Sequence, residues 1–130
     1  MTTVLLDTDI LIDYTKGFGQ QLDGVFEEKM GVGLELAVSG VTVVEFLADR
    51  LLRNKNKLKK AMEFVGQFRC VVPSRSICVL AGELLREGKS LATPDALIAA
   101  TCIDRDFCLM TRNRKDFSRV KGIKFYEGKE

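Results

Sequence analysis

The chain has no histidine and no tryptophan, only two prolines, and four cysteines in 130 residues. The missing histidine excludes the Ser-His-Asp and Cys-His arrangements of nucleophilic catalysis. It also removes the nitrogen ligand most often found on zinc. The cysteines stand at 70, 78, 102 and 108 with no CxxC pair, which argues against a thiolate zinc site. Cys102 sits in an apolar helical pattern, and Cys70 and Cys108 border apolar runs, so buried thiols are expected. No apolar run approaches the roughly 20 residues that a membrane span needs. The opening MTTVLLDTD has no basic leader and no small-residue cleavage site, so cytoplasmic residence is expected. The net charge of +2 is too small to imply a nucleic-acid partner by itself. Catalysis, if present, must use carboxylates, hydroxyls, lysine, arginine or a metal.

What is present fits one globular domain over 1–130. Its length is enough for a core, and 46% of residues are hydrophobic. There is no linker, repeat or low-complexity tract. Two basic groups interrupt an otherwise balanced charge pattern. RLLRNKNKLKK (50–60) has six cations and no acid, and Arg112, Arg114, Lys115, Arg119 and Lys121 gather near the C-terminus. Such patches suit phosphates, and a solvated helix face accounts for the first group equally well.

Val4 to Leu6 reads as a buried strand, followed by a short helix from Thr8 to about Thr15. QQLDGVFEEKM reads as a second helix, with Leu22, Val25, Phe26 and Met30 on one face. LELAVS (34–39) is the next strand. A helix starts near Val41, another follows Asn54, and RCVVP is a short strand stopped by Pro73. ICVLAGELLREG is helical to Gly88. TPDALIAATCIDRD is a helix with Thr93 as the expected N-cap and Pro94 in the first turn. FCLMT and IKFYE complete the strands, about five in all. Short apolar strands alternating with helices predict an α/β fold: a mostly parallel central sheet covered by helices on both faces. Ligands of such sheets bind beyond the carboxyl ends of the strands.

Asp7 ends the first of these strands, where no cap requirement calls for an acid. An ionised carboxylate there is costly unless it is paired or meets a cation. Glu45 completes a Thr-Val-Val-Glu capping box beginning at Thr42, which would explain it structurally. Asp95 lies in a helix's first turn, where the macrodipole favours an acid. Asp9 and Asp13 are four apart and share a helix face, with Asp13 read as solvated. Acids at the carboxyl side of separate elements suit a hard cation such as Mg²⁺ or Mn²⁺, which takes oxygen ligands and activates water.

These segments resemble a known family. LDTDILIDY is similar to the opening motif of PIN-domain proteins, in particular the VapC toxins of toxin–antitoxin modules. SGVTVVEFLAD, ATPDALIAATCI and LMTRNRKDFSRVKGIKFY resemble their second, third and fourth motifs, in the family's order. The resemblance implies a PIN-like three-layer fold and a Mg²⁺- or Mn²⁺-dependent endoribonuclease. Asp7, Glu45 and Asp95 become its catalytic, metal-holding carboxylates. Thr8, Asp9 and Thr111 would support them. Many members carry aspartate where Asn113 stands, so the fourth position falls either to Asn113, through its carbonyl, or to Asp116. Arg112, Arg114 and Lys115 would hold RNA phosphates. The family also implies a homodimer and a cognate VapB-like antitoxin. Its groove is sought on the apolar face of the helices at 41–68, carrying Phe46, Leu47, Leu51, Leu58, Met62, Phe64 and Phe68, which core packing explains as well. Two alternatives stand beside this reading. One is an interaction module with impaired catalysis. The other is a haloacid-dehalogenase-type phosphatase with Asp7 as nucleophile, suggested by Asp-x-Asp after a strand but poorly served by the residues that follow.

Overall fold

The structure, a computed structural model, describes residues 2–17, 23, 33–88 and 90–127. Strand β1 (Thr2–Leu6) leads into helix α1 (Thr8–Thr15). The helix expected over 20–30 lies outside the described residues, Asp23 excepted. Then follow β2 (Leu34–Ser39), α2 (Gly40–Leu47), a 3₁₀ turn (Arg50–Arg53), α3 (Lys55–Val65), β3 (Arg69–Val71) and α4 (Arg75–Arg86). Helix α5 (Thr93–Arg105), β4 (Cys108–Met110) and α6 (Arg114–Phe117) complete the order.

The four strands form one parallel sheet in the order β3-β2-β1-β4. This is the expected α/β architecture, with four strands among the described residues instead of about five. IKFYE makes only a single parallel bridge, Phe125 to Leu109. Its backbone does join β4, since Leu109 N donates to Lys124 O at 2.8 Å and Tyr126 N to Leu109 O at 2.9 Å.

Strand residues alternate between two apolar layers, as a period of two requires. Leu5, Ala37 and Leu109 pack with Ile77, Ile98 and Phe117. Val4, Leu6, Leu36 and Val38 pack with Leu11, Phe46, Val65 and Phe68. Both faces are thus covered, and strand side chains in either layer have little access to water. Only the strand ends remain free to carry polar chemistry. Each fully buried Leu, Ile or Phe contributes about 1.5–3 kcal/mol, which holds those ends in place.

Three local readings change. Helix α2 is capped by Ser39, whose hydroxyl accepts from Val41 N. It starts at Gly40, so Glu45 is too far along to close a capping box. Helix α5 is capped by Ala92 without a side-chain bond; Thr93 and Pro94 lie inside its first turn. Of the cysteines, Cys102 is buried and Cys108 half-buried, whereas Cys70 and Cys78 are exposed. Cys70 sits on edge strand β3, so bordering an apolar run did not bury it, and Cys78 takes an outer position of α4.

Candidate active site

Helices α1 and α2 begin where β1 and β2 end. Asp7 follows Leu6, and its N–H still donates to Met110 O of β4 at 3.0 Å. Its backbone is extended, and its Oδ1 accepts from Thr8 N at 2.8 Å as the cap of α1. Asp7 therefore does have a capping duty. That duty uses one oxygen. The other, Oδ2, accepts from Thr111 Oγ1 at 2.7 Å. Thr111 in turn accepts from Asn113 N at 3.0 Å, so the hydroxyl is oriented as a donor to Asp7. Asp7 is only 5% exposed, a costly place for a carboxylate.

Glu45 reaches the same place from α2. Thr8 Oγ1 donates to Glu45 Oε1 at 2.8 Å and lies 3.2 Å from Thr42 Oγ1. Thr42 is fully buried. Sequence reasoning used it only as half of a capping box; its place one helical turn before Glu45 was the available signal. Asp95 enters from the first turn of α5 and Asp116 from α6.

Electrostatics ties these groups together. Burial raises the Asp7 carboxyl above its ordinary value, and the charge of Glu45 adds to the rise. The bonds from Thr111 and Thr8 and the Arg112 charge oppose it. Burial likewise raises Asp95, reinforced by Asp7, Glu45 and Asp116, and nothing opposes that rise. Asp7, Glu45, Asp95 and Asp116 thus form one field of negative charge contributed by four elements. Asp116 belongs to it. Asn113 is an exposed residue whose side chain makes no cap bond to α6.

Asp9 and Asp13 turn toward the loop after β4. Burial and the neighbouring Asp7 push Asp9 up to about 6, against the bond and charge from Arg112. Asp13 is not solvated as expected: its side chain is 13% exposed and its Oδ2 lies 2.9 Å from Arg112 Nε. Arg114 donates to Tyr126 O at 2.9 Å and stacks over Phe125. Lys115 is exposed and has no ion-pair partner among the described residues.

Residues 4–123 match the family described as PIN domain. The chain belongs to the PIN domain family. Ribonuclease VapC1 of Methanocaldococcus jannaschii is 29% identical over 131 residues, covering 95% of this chain and 87% of that protein. A toxin–antitoxin complex from Klebsiella pneumoniae contains a chain 27% identical with a TM-score of 0.72, over 92% of this chain and 94% of that one. DNA-bound VapBC from Salmonella typhimurium superposes with a TM-score of 0.82, over 97% of this chain and 98% of that one. Its identity is 22%, so that likeness concerns the fold alone.

The oxygen-only donor set of this PIN domain fits a hard divalent cation. Among the described residues, no three carboxylates or thiols converge closely enough to cage an ion by themselves. Mg²⁺ does not require such a cage, because it keeps several waters beside one or two carboxylates. The rise on Asp95, caused first by burial and then by the charges of Asp7, Glu45 and Asp116, is opposed by nothing and is an imbalance that a cation would correct.

Proposed function

We propose that this PIN domain is a Mg²⁺- or Mn²⁺-dependent endoribonuclease, the toxin of a VapBC-type pair. The observation that carries the reading is the field of four acids around Asp7 at the carboxyl end of β1, in a chain whose relatives include proteins named ribonuclease. Asp7, Glu45 and Asp95 are the assigned metal holders, with Asp116 preferred to Asn113 as the fourth residue. The ion would supply positive charge for the phosphate transition state and lower the pKa of an attacking water. Thr111 and Thr8 orient the carboxylates of Asp7 and Glu45, through the bonds at 2.7 and 2.8 Å, and so would set how these two residues hold the ion. Lys115, whose exposed side chain has no ion-pair partner among the described residues, is the basic residue best able to meet an RNA phosphate.

The antitoxin partner is assigned to the outer face of α2, the 3₁₀ turn and α3. There Val44, Leu51, Leu58 and Met62 are exposed beside the cations of 50–60, a surface suited to an acidic amphipathic segment. Phe46 and Phe68 are buried in the core, and half-buried Phe64 stacks on Tyr14, so those three do not line a groove. Exposed Val72, just after edge strand β3, and Val79, on α4, are assigned to a homodimer contact. No described helix is long and apolar enough to cross a membrane, and we place the protein in the cytoplasm. The phosphatase alternative is not favoured, since both Asp7 oxygens are engaged by neighbouring donors.

The test is cleavage of a mixed RNA pool by antitoxin-free protein with Mg²⁺, Mn²⁺ or EDTA, beside Asp7→Asn and Asp95→Asn. Cutting that needs the metal and is lost in both variants is expected. A folded wild type that binds neither metal by calorimetry and cuts nothing overturns the reading in favour of an interaction module.

A further inference from the structure

The loop between β4 and α6 carries Thr111, the group that orients Asp7. It is tied to α1 at three points. Thr111 Oγ1 holds Asp7. The Arg112 N–H donates to Asp9 Oδ2 at 3.3 Å. The Arg112 guanidinium lies 2.9 Å from Asp13 Oδ2 and 3.8 Å from Asp9 Oδ2. Asp9 and Asp13, four residues apart, present both carboxylates on one face of α1. The acid side chains are 16% and 13% exposed, while Arg112 is 56% exposed. The arginine thus lies across two carboxylates that packing has already withdrawn from water.

We propose that Asp9, Asp13 and Arg112 form a clamp that positions Thr111 against Asp7, so that Arg112 is a positioning residue and not an RNA contact. This rests on the nuclease reading of the Asp7 site. A guanidinium leaving to grip a phosphate would strip both acids of their cation. Asp9 is poorly placed for that loss, since its Oδ1 is already buried with no hydrogen-bond partner among the described residues. Arg112 also stands between the two residues whose bond aims the Thr111 hydroxyl, because Asn113 N donates to Thr111 Oγ1. Releasing residue 112 from α1 frees that bond, and with it the donor on Asp7.

The two roles of Arg112 predict opposite consequences at Asp13. In the clamp, Asp13→Asn and Arg112→Ala do the same thing: they loosen the loop. Each lowers kcat for RNA by about 10–100-fold and weakens Mn²⁺ binding by a similar factor, while KM stays within about twofold. In metal-free protein, each also speeds hydrogen exchange at the Asn113 amide by about tenfold or more. If Arg112 grips RNA instead, Asp13→Asn releases it and lowers KM at unchanged kcat, while Arg112→Ala raises KM. That pattern, or an Asn113 amide that exchanges as in the wild type in both variants, overturns the clamp. Asp13→Asn keeps the side-chain shape, so it decides the matter alone if Arg112→Ala does not fold. A wild type that binds Mn²⁺ but never cuts RNA defeats the nuclease reading only; amide exchange and Mn²⁺ calorimetry still judge the clamp.

Discussion

Thr111→Val tests the joint on which the site turns. Valine matches threonine in shape, so the change removes hydrogen bonds and leaves no cavity. Two bonds go: the 2.7 Å donation to Asp7 Oδ2 and the 3.0 Å acceptance from Asn113 N. The second is at an exposed residue, and water replaces it at a cost of about 0.5 kcal/mol or less. The first is not replaced so readily. It is charge-assisted, and Asp7 is nearly closed to solvent. Losing it costs about 1.5–3 kcal/mol. The sum, about 1.5–3.5 kcal/mol, lowers Tm by about 5–17 °C for a domain of this size. Urea melts at neutral pH measure the free energy directly, provided m is unchanged. Thr111→Ser keeps both bonds and should lose about 1 kcal/mol or less, the worth of one methyl group. Added Mn²⁺ supplies a second reading. An ion bound at 100 times its Kd stabilises the wild type by about 2.7 kcal/mol, and that gain should shrink in Thr111→Val as affinity drops. A valine variant within about 0.5 kcal/mol of wild type, or a serine variant equally damaged, would refute the argument, because no hydroxyl could then be holding the carboxylate.

Three further outcomes follow from the fold. Ellman's reagent should titrate Cys70 and Cys78 rapidly in native protein and Cys102 only on unfolding, because burial pushes the Cys102 thiol up out of the thiolate range. Phe117→Ala should cost about 3–5 kcal/mol in urea melts, since this fully buried ring joins α6 to the layer around Ile98 and Leu109. Asp106→Gly should stabilise by about 0.5 kcal/mol: Asp106 ends α5 in the left-handed region at φ 57°, and its exposed pair with Lys124 contributes little.

The sheet was legible because its strands are short apolar runs, and burial on both faces leaves no other use for VLL, LAVS and CLM. What misled was punctuation. Thr93-Pro94 looks like a cap followed by a first helical residue, yet α5 begins one residue earlier on Ala92, whose backbone dihedrals suffice without a side-chain bond. Thr42 and Glu45 have capping-box spacing, but Ser39 reaches the free N–H groups first, which leaves both side chains for Thr8. IKFYE has strand composition, but only one bridge forms, because the chain meets β4 briefly at the sheet edge. Asp7 was conspicuous as an acid after three apolar residues. Spacing alone could not pair it with Thr111, 104 residues away, which only the family resemblance named and which the β1–β4 pairing brings to it. Asp13 was misread for the same reason: helical spacing shows which face it shares with Asp9, not that Arg112 covers that face.

The acids set stability against function in a way that can be measured at Asp95. Its carboxylate is disfavoured by burial and by Asp7, Glu45 and Asp116, with nothing opposing. Among the described residues no donor hydrogen-bonds its side chain, so Asp95→Asn strands none. The variant does forfeit the favourable placing of an acid in the first turn of α5, worth about 0.3–1 kcal/mol. Repulsion from three carboxylates in a partly dehydrated site outweighs one helix terminus, so metal-free Asp95→Asn should be more stable than the wild type by about 0.5–1 kcal/mol. Salt identifies the cause. Raising NaCl from 0.05 to about 0.5 M shortens the screening length to a few ångströms and should stabilise the wild type more than the variant, narrowing the gap. On the proposed metal assignment, Mn²⁺ should reverse the order, because the wild type retains the carboxylate assigned to hold it. Equal salt responses, or a variant weaker than wild type without metal, would mean that the acids repel too little to matter and that the case for a cation must rest on binding alone.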